Sequence, residues 1–160
     1  MDLLVITVGG TIDKVYFDAT SEYEVGDPTV PHVYQGALVS LEYEVLPLMR
    51  KDSLEMTATD RKMIRETCEQ TEQNYILITH GTDTMSETAE ALMGVKGKTI
   101  VLTGAMAPAR FRETDAVFNI GFATGAVQAL DEGVYIAMNG RIFPAGQVWK
   151  NREAQCFEST

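Results

Sequence analysis

Cysteine is almost missing from this chain: Cys68 and Cys156 are the only two in 160 residues. Two cannot build a disulfide framework, and both read as reduced thiols. Histidine is equally scarce, and His32 and His80 lie too far apart to give a zinc-ligand spacing. No metal and no other cofactor is expected. Basic residues number 13 against 23 acidic ones, for a formal net charge of -10. That leaves no basic patch for nucleic acid and no attraction to anionic membrane surfaces. No apolar run approaches the ~20 residues that a membrane-spanning helix requires. A basic leader region is not evident either, since Met1 and Asp2 run straight into an apolar strand. A cytoplasmic location is therefore the expectation. Internal repeats, low-complexity tracts and a clear linker are also missing, which points to one domain over residues 1–160.

What is present is an ordinary globular balance, 45% apolar and 22% charged, enough to bury a core. Leu3–Val8 reads as a buried parallel strand, apolar almost throughout. Residues from about Asp13 to Gly36, with Gly26, Pro28 and Pro31, read as loop or hairpin. Leu38–Leu46 alternates as a strand. Thr57 or Thr59 caps a helix reaching about Gln70, with Met63, Ile64, Thr67 and Cys68 on one stripe. Tyr75–Thr79 is a strand. Thr84 and Glu87 fit a capping box for a helix ending near Gly94. The stretch "KTIVLTGAM" is a strand, Glu113–Leu130 a long helix, "GVYIAMNG" a strand, and "RIFPAGQVW" a hairpin or extended arm. Gly121 and Gly125 on the long helix predict a close helix contact inside the fold. Strands alternating with helices predict a doubly wound α/β fold, a mostly parallel sheet with helices on both faces.

In such sheets ligands bind beyond the carboxyl ends of the strands. Four strand ends carry chemistry: "GGTI", "THGTDT", "TGAMAP" and "NGR". After the first strand, Gly9 and Gly10 permit a sharp turn and close approach of a ligand to backbone N–H groups. Thr11 then offers a hydroxyl that becomes a nucleophile if its proton is removed; a plain tight turn is the competing reading. Thr82 and Asp83 precede a helix whose N-terminus suits a carboxylate, while Asp83 suits an ammonium. Together they fit the two charged ends of an amino acid, or else Asp83 and Thr84 are simply capping residues. His80, alone in its turn, reads as structural, and His32 has no identifiable partner.

These stretches carry a resemblance. The chain resembles the catalytic half of the bacterial-type L-asparaginases, which hydrolyse asparagine to aspartate and ammonia. "GGTI" is similar to that family's first threonine motif, and "ITHGTDTMSETA" is similar to its second, more specific one. "VLTGAMAPARFRETDAVFNIGFA" resembles the stretch after the following strand. "MNGRIFPAGQVWKN" aligns onto the segment that supplies the family's catalytic lysine, here Lys150. The resemblance implies a double displacement in which Thr11 attacks the side-chain amide and water then cleaves the acyl-threonine ester. It implies that Tyr23 hydrogen-bonds Thr11, that Thr82, Asp83 and Lys150 form a second cluster, and that Asp83 grips the α-ammonium. It further implies Ser53 as holder of the α-carboxylate, the Ala105 carbonyl beside the scissile amide, and backbone N–H groups near Gly10, Thr11 and Thr82 as oxyanion donors.

Family members are about twice as long, with a second α/β domain after the point where this chain ends. The chain most resembles a short, single-domain group of asparaginases. Leu54 stands where many members have a polar residue, and Asp13 where many have a small one. The implied partners are a small-molecule substrate, L-asparagine, and further copies of the chain in a homo-oligomer. Two other classes fit the same residues: an amino-acid-binding regulatory module with little turnover, and an amidohydrolase subunit acting on a larger amidated substrate. Acidity argues against an RNA-borne substrate.

Overall fold

The apolar run at the start of the chain becomes the second strand of a six-stranded sheet. The computed structural model describes residues 2–160. In chain order the sheet uses β1 (Asp2–Gly9), β4 (Glu42–Lys51), β5 (Tyr75–Thr79), β6 (Thr99–Thr103), β7 (Gly133–Met138) and β8 (Arg141–Pro144). Their spatial order is β4-β1-β5-β6-β7-β8, with every neighbouring pair parallel except the last. β1, β5 and β6 are buried on both faces, which is why they read as continuous apolar runs.

Side chains alternate between two cores. Leu4, Ile6, Ile76, Ile78, Ile100 and Leu102 meet helices α2 (Ala58–Gln70) and α3 (Met85–Leu92). Leu3, Val5, Leu77 and Val101 meet α1 (Val30–Gly36) and α4 (Ala116–Ala129) on the other face. The doubly wound arrangement expected from the sequence is thus present. Two antiparallel ribbons flank it: β2 (Lys14–Phe17) with β3 (Glu22–Val25), and β9 (Val148–Asn151) with β10 (Cys156–Ser159).

Several local expectations need correction. The Asp13–Gly36 stretch holds a hairpin as expected, but also α1. Pro31 there starts a helix instead of breaking one, because its fixed φ suits the first turn. Strand β4 starts four residues later than expected, since Leu38 takes a left-handed φ of 53° in the preceding turn. On α2, Thr57 makes a capping box with Asp60, and only Asp60, Ile64 and Cys68 are buried. Met63 and Thr67 face outward, where the Thr67 hydroxyl donates back to the Met63 carbonyl. On α3 the expected capping box does not form. The Thr84 hydroxyl donates to the Ser53 carbonyl at 2.7 Å, and Glu87 takes the Arg61 guanidinium at 2.8 Å. Finally, no neighbour approaches Gly121 or Gly125, so these glycines open onto a groove beside α1. The long helix runs over Ala116–Ala129, shorter than expected at both ends.

Candidate active site

The direction of winding reverses between β1 and β5. The chain leaves β1 toward β4 on one side and leaves β5 toward β6 on the other. A crevice outside the strand ends opens at such a point. Thr11 follows β1 and Thr82 follows β5, so both threonines stand at its rim.

Glycines allow the strand-end loops to stack on one another. Gly9 and Gly10 adopt φ of 101° and 93°, where a side chain would be strained. A Cβ on Gly10 would collide with the backbone of Gly81, and one on Gly104 with the His80 carbonyl. A Cβ on Gly81 would lie 2.5 Å from Ser53 Oγ. Glycine therefore brings four segments together: the loops after β1, β5 and β6, and the turn at Ser53.

Thr11 opens a one-turn 3-10 segment, Thr11–Asp13, that is pinned from several sides. The Gly10 N–H donates to the Lys51 carbonyl at 2.9 Å. The Ile12 carbonyl accepts from the Ala109 N–H at 3.1 Å and from the Thr29 hydroxyl at 3.4 Å. Asp13 Oδ1 accepts from the Thr29 N–H at 2.8 Å. The Asp13 side chain is only 2% exposed. Burial pushes its carboxyl up to about 6, although the Thr29 bonds and the Arg50 charge pull the other way. Lys14, next in line, donates to Asp52 Oδ2 at 2.8 Å, tying this segment to the Ser53 turn. Burial disfavours ionised Asp52, but Lys14 and the Leu54 N–H outweigh it and hold that carboxyl below its ordinary value.

A second cluster forms where β9 reaches the crevice. Lys150 Nζ donates to Thr82 Oγ1 and to Asp83 Oδ1, each at 2.7 Å. The three residues come from positions 82, 83 and 150, and the fold brings them into one hydrogen-bonded group. Both Thr82 and the Lys150 side chain are largely shielded from water, which strengthens these contacts.

His80 lies under this cluster, fully buried. Its Nδ1 is 2.7 Å from the Gly81 carbonyl and its Nε2 is 2.8 Å from the Thr88 hydroxyl. A carbonyl only accepts, so Nδ1 carries the proton and Nε2 accepts from Thr88. Desolvation pushes the ring down to about 4, leaving it neutral, a strut between the loop and α3, as the sequence reading expected. On the far side of the crevice, Asp115 accepts from the N–H groups of Met106 and Ala107, and Asn119 Nδ2 donates to the Gly104 carbonyl at 2.9 Å. This network holds the peptide units on either side of Ala105.

Of the sequence-derived residues, Thr82, Asp83 and Lys150 meet directly. Gly10 abuts Gly81, with Thr11 next in the chain, Ser53 is buried behind the same glycine, and Ala105 is buried in the loop that follows β6. Tyr23 stands apart. It lies on β3, 51% exposed, edge-on to Tyr16 at 5.5 Å and to Phe111 at 5.8 Å, and it makes no hydrogen bond to Thr11. The sequence reading missed Arg152, whose Nε lies 3.9 Å from Asp83 Oδ1. The only signal in the sequence was a basic residue two positions beyond Lys150, in the turn that follows β9.

The profile of the family "Asparaginase, N-terminal" matches residues 2–160. The chain belongs to the asparaginase family. Among curated relatives, it is 33% identical over 163 residues to L-asparaginase 2 of Escherichia coli, covering 93% of this chain and 46% of that protein. It is 28% identical over 166 residues to the glutaminase-asparaginase of Acinetobacter glutaminasificans, covering 93% and 49%. Its structure is similar to the thermostable L-asparaginase from Thermococcus kodakarensis, with a TM-score of 0.84 and 26% identity over 99% of this chain and 51% of that one. The chain spans about half the length of the curated relatives it matches.

Proposed function

We propose that this asparaginase-family chain hydrolyses the side-chain amide of L-asparagine, releasing L-aspartate and ammonia, with Thr11 as nucleophile. The observation that carries the reading is the Lys150 amine within 2.7 Å of both Thr82 Oγ1 and Asp83 Oδ1, at the crevice that Thr11 also borders. Asp83 accepts from the substrate's α-ammonium, and Ser53 and its turn face the α-carboxylate. The amide carbon is then presented to Thr11, beside the Ala105 carbonyl. Thr11 Oγ bonds to that carbon, and backbone N–H groups around Gly10, Thr11 and Thr82 stabilise the oxyanion. Tyr23 is assigned to the Thr11 hydroxyl, although the two make no hydrogen bond in this structure. The hydroxyl proton passes to the leaving nitrogen, ammonia departs, and a threonine ester remains. Water, oriented by Thr82, attacks the ester carbon, and its proton passes by way of the Thr82–Lys150 pair to Thr11 Oγ as that C–O bond breaks, which frees aspartate and the Thr11 hydroxyl.

The test is ammonia release from asparagine by the purified chain and by Thr11→Ala and Thr82→Val. Turnover by the parent and its near-complete loss in both variants, with unchanged circular dichroism, is the expected result. Binding of asparagine without turnover by the parent would instead favour an amino-acid-binding module. With hydroxylamine present, the acyl-threonine should partition to aspartyl hydroxamate.

We also assign the chain to the cytoplasm, which suits its two free cysteines, and to a homo-oligomer. α4 supports self-association. None of its 14 residues is charged, and Val117 and Phe118 on it are more than half exposed. In a chain of net charge -10, this is a face where two copies meet without opposing like charges.

A further inference from the structure

We infer that Asp13 is a positioning residue for the Thr11 nucleophile: its buried side chain fastens the turn that carries Thr11 to the start of helix α1. This rests on the asparagine-hydrolysis reading above and adds a residue to it.

Thr11 is not held by its own side chain. Its hydroxyl makes no hydrogen bond among the described residues, so the backbone sets where Oγ stands. That backbone is a single 3-10 turn, Thr11–Asp13, closed by one bond of its own, from the Asp13 N–H to the Gly10 carbonyl at 3.2 Å. One bond in so tight a turn does not fix its residues, because each loses more freedom than the bond returns. Anchors outside the turn therefore decide its geometry. At the near end the Gly10 N–H is taken by the Lys51 carbonyl. At the far end the anchor is Asp13.

Asp13 binds on two sides. Its carbonyl accepts from the Gly26 N–H at 2.8 Å, and Oδ1 accepts from the Thr29 N–H, also at 2.8 Å. Between them the chain runs out and back through the hairpin of β2 and β3, where Lys14 pairs with Val25. The nucleophile turn and the root of the hairpin that carries Tyr23 thus share one residue. The side-chain bond reaches further than the backbone one. Thr29 precedes α1, whose Val30, Val33 and Tyr34 are buried in the core under α4, and the Tyr34 hydroxyl lies 2.7 Å from that of Thr124 on α4. Through Thr29, Asp13 ties the turn to a packed pair of helices and not to another loop. The Thr29 hydroxyl adds a longer contact to the Ile12 carbonyl at 3.4 Å, so the Asp13 bond is the firmer of the two. Asp13 is almost fully buried, and water does not compete for that bond. A small residue at this position has no oxygen with which to make it.

The test compares Asp13→Ala and Asp13→Asn with the parent, at a pH well above the value of about 6 to which Asp13 is pushed. Circular dichroism checks the fold of each, and rates are expressed per folded molecule. Two quantities are read: kcat/KM for ammonia release from asparagine, and the inhibition constant of L-aspartate, which enters the crevice but offers Thr11 no amide. Misplacing a reacting group by about 1 Å costs on the order of 100-fold. Asp13→Ala should lose about 10- to 100-fold in kcat/KM, with the aspartate constant within about threefold of the parent. Asp13→Asn keeps an oxygen for the Thr29 N–H and should stay within about threefold of the parent on both. If Asp13→Ala does not fold, Asp13→Ser takes its place with the same expected loss, since its hydroxyl ends one atom short. An unchanged kcat/KM in the shortened variant would overturn the inference. So would an Asp13→Asn as slow as Asp13→Ala, because the acceptor oxygen would then be immaterial, and so would an equal loss of aspartate binding, which marks a crevice deformed as a whole. A parent chain that releases no ammonia from asparagine would sink the hydrolysis reading and this assignment with it, whereas an active parent with an indifferent Asp13→Ala sinks only the assignment.

Discussion

Replacing Asp13 by asparagine should make the fold acid-sensitive over a pH range in which the parent is almost indifferent. Two buried groups with opposite linkage meet near the crevice. Asp13 is pushed from 3.8 up to about 6 by desolvation, with the Thr29 N–H and hydroxyl and the more distant Arg50 opposing that push. His80 is pushed from 6.5 down to about 4 by desolvation, between the Gly81 carbonyl and Thr88, with Arg61 adding to the effect. Between these limits folded Asp13 holds a proton that the unfolded chain has lost, so this group favours the fold as pH falls. Folded His80 lacks a proton that the unfolded chain has gained, so it disfavours the fold as pH falls. At about 1.4 kcal/mol per pH unit, each contribution is about 3 kcal/mol, and the two nearly cancel. The other carboxylates with perturbed values, Asp52, Asp60 and Asp115, are held below their ordinary range and lose their stabilisation only below that window.

Asp13→Asn removes one side of this balance while keeping an oxygen for the Thr29 N–H. Its unfolding free energy should fall by about 3 kcal/mol on going from pH 6.5 to 4, against a change near zero in the parent. Urea unfolding followed by circular dichroism at half-unit pH steps measures this directly. Parallel pH profiles for parent and variant would refute the reasoning, because they would mean that Asp13 ionises alike in the folded and unfolded chains.

Two further outcomes are expected. Lys150→Met should lower the rate constant for ammonia release by roughly 100- to 10,000-fold, with a much smaller change in asparagine affinity; a loss of binding at an unchanged rate constant would make Lys150 a substrate anchor instead. Light scattering should give a native mass of at least two copies, and Phe118→Glu on α4 should lower it, since each copy would then bring a charge to an apolar face; an unchanged assembly would place the contact elsewhere.

By itself the sequence determined the sheet and its winding. Strands such as Ile76–Ile78 and Ile100–Leu102 are apolar on both faces, and that pattern belongs to a parallel sheet covered by helices. It also placed Thr11, Thr82 and Asp83 at strand ends, because Gly9, Gly10 and Gly81 mark turns where a backbone comes close. Local patterns were less secure wherever a side chain had a distant alternative. The sequence pattern predicts that Thr84 caps α3, yet its hydroxyl donates to the Ser53 carbonyl 31 positions away, which no window around α3 contains. Pro31 reads as a loop residue in the sequence, though the burial of Val30, Val33 and Tyr34 against the sheet makes it the first turn of a helix. Tertiary structure alone decided what each charged group is worth. Lys150 reaches Thr82 across 68 positions, Arg152 borders Asp83, and Asp13 is buried under Thr29. Each of these depends on distance and desolvation, which fall off within a few ångströms, and the linear order of residues does not carry such separations.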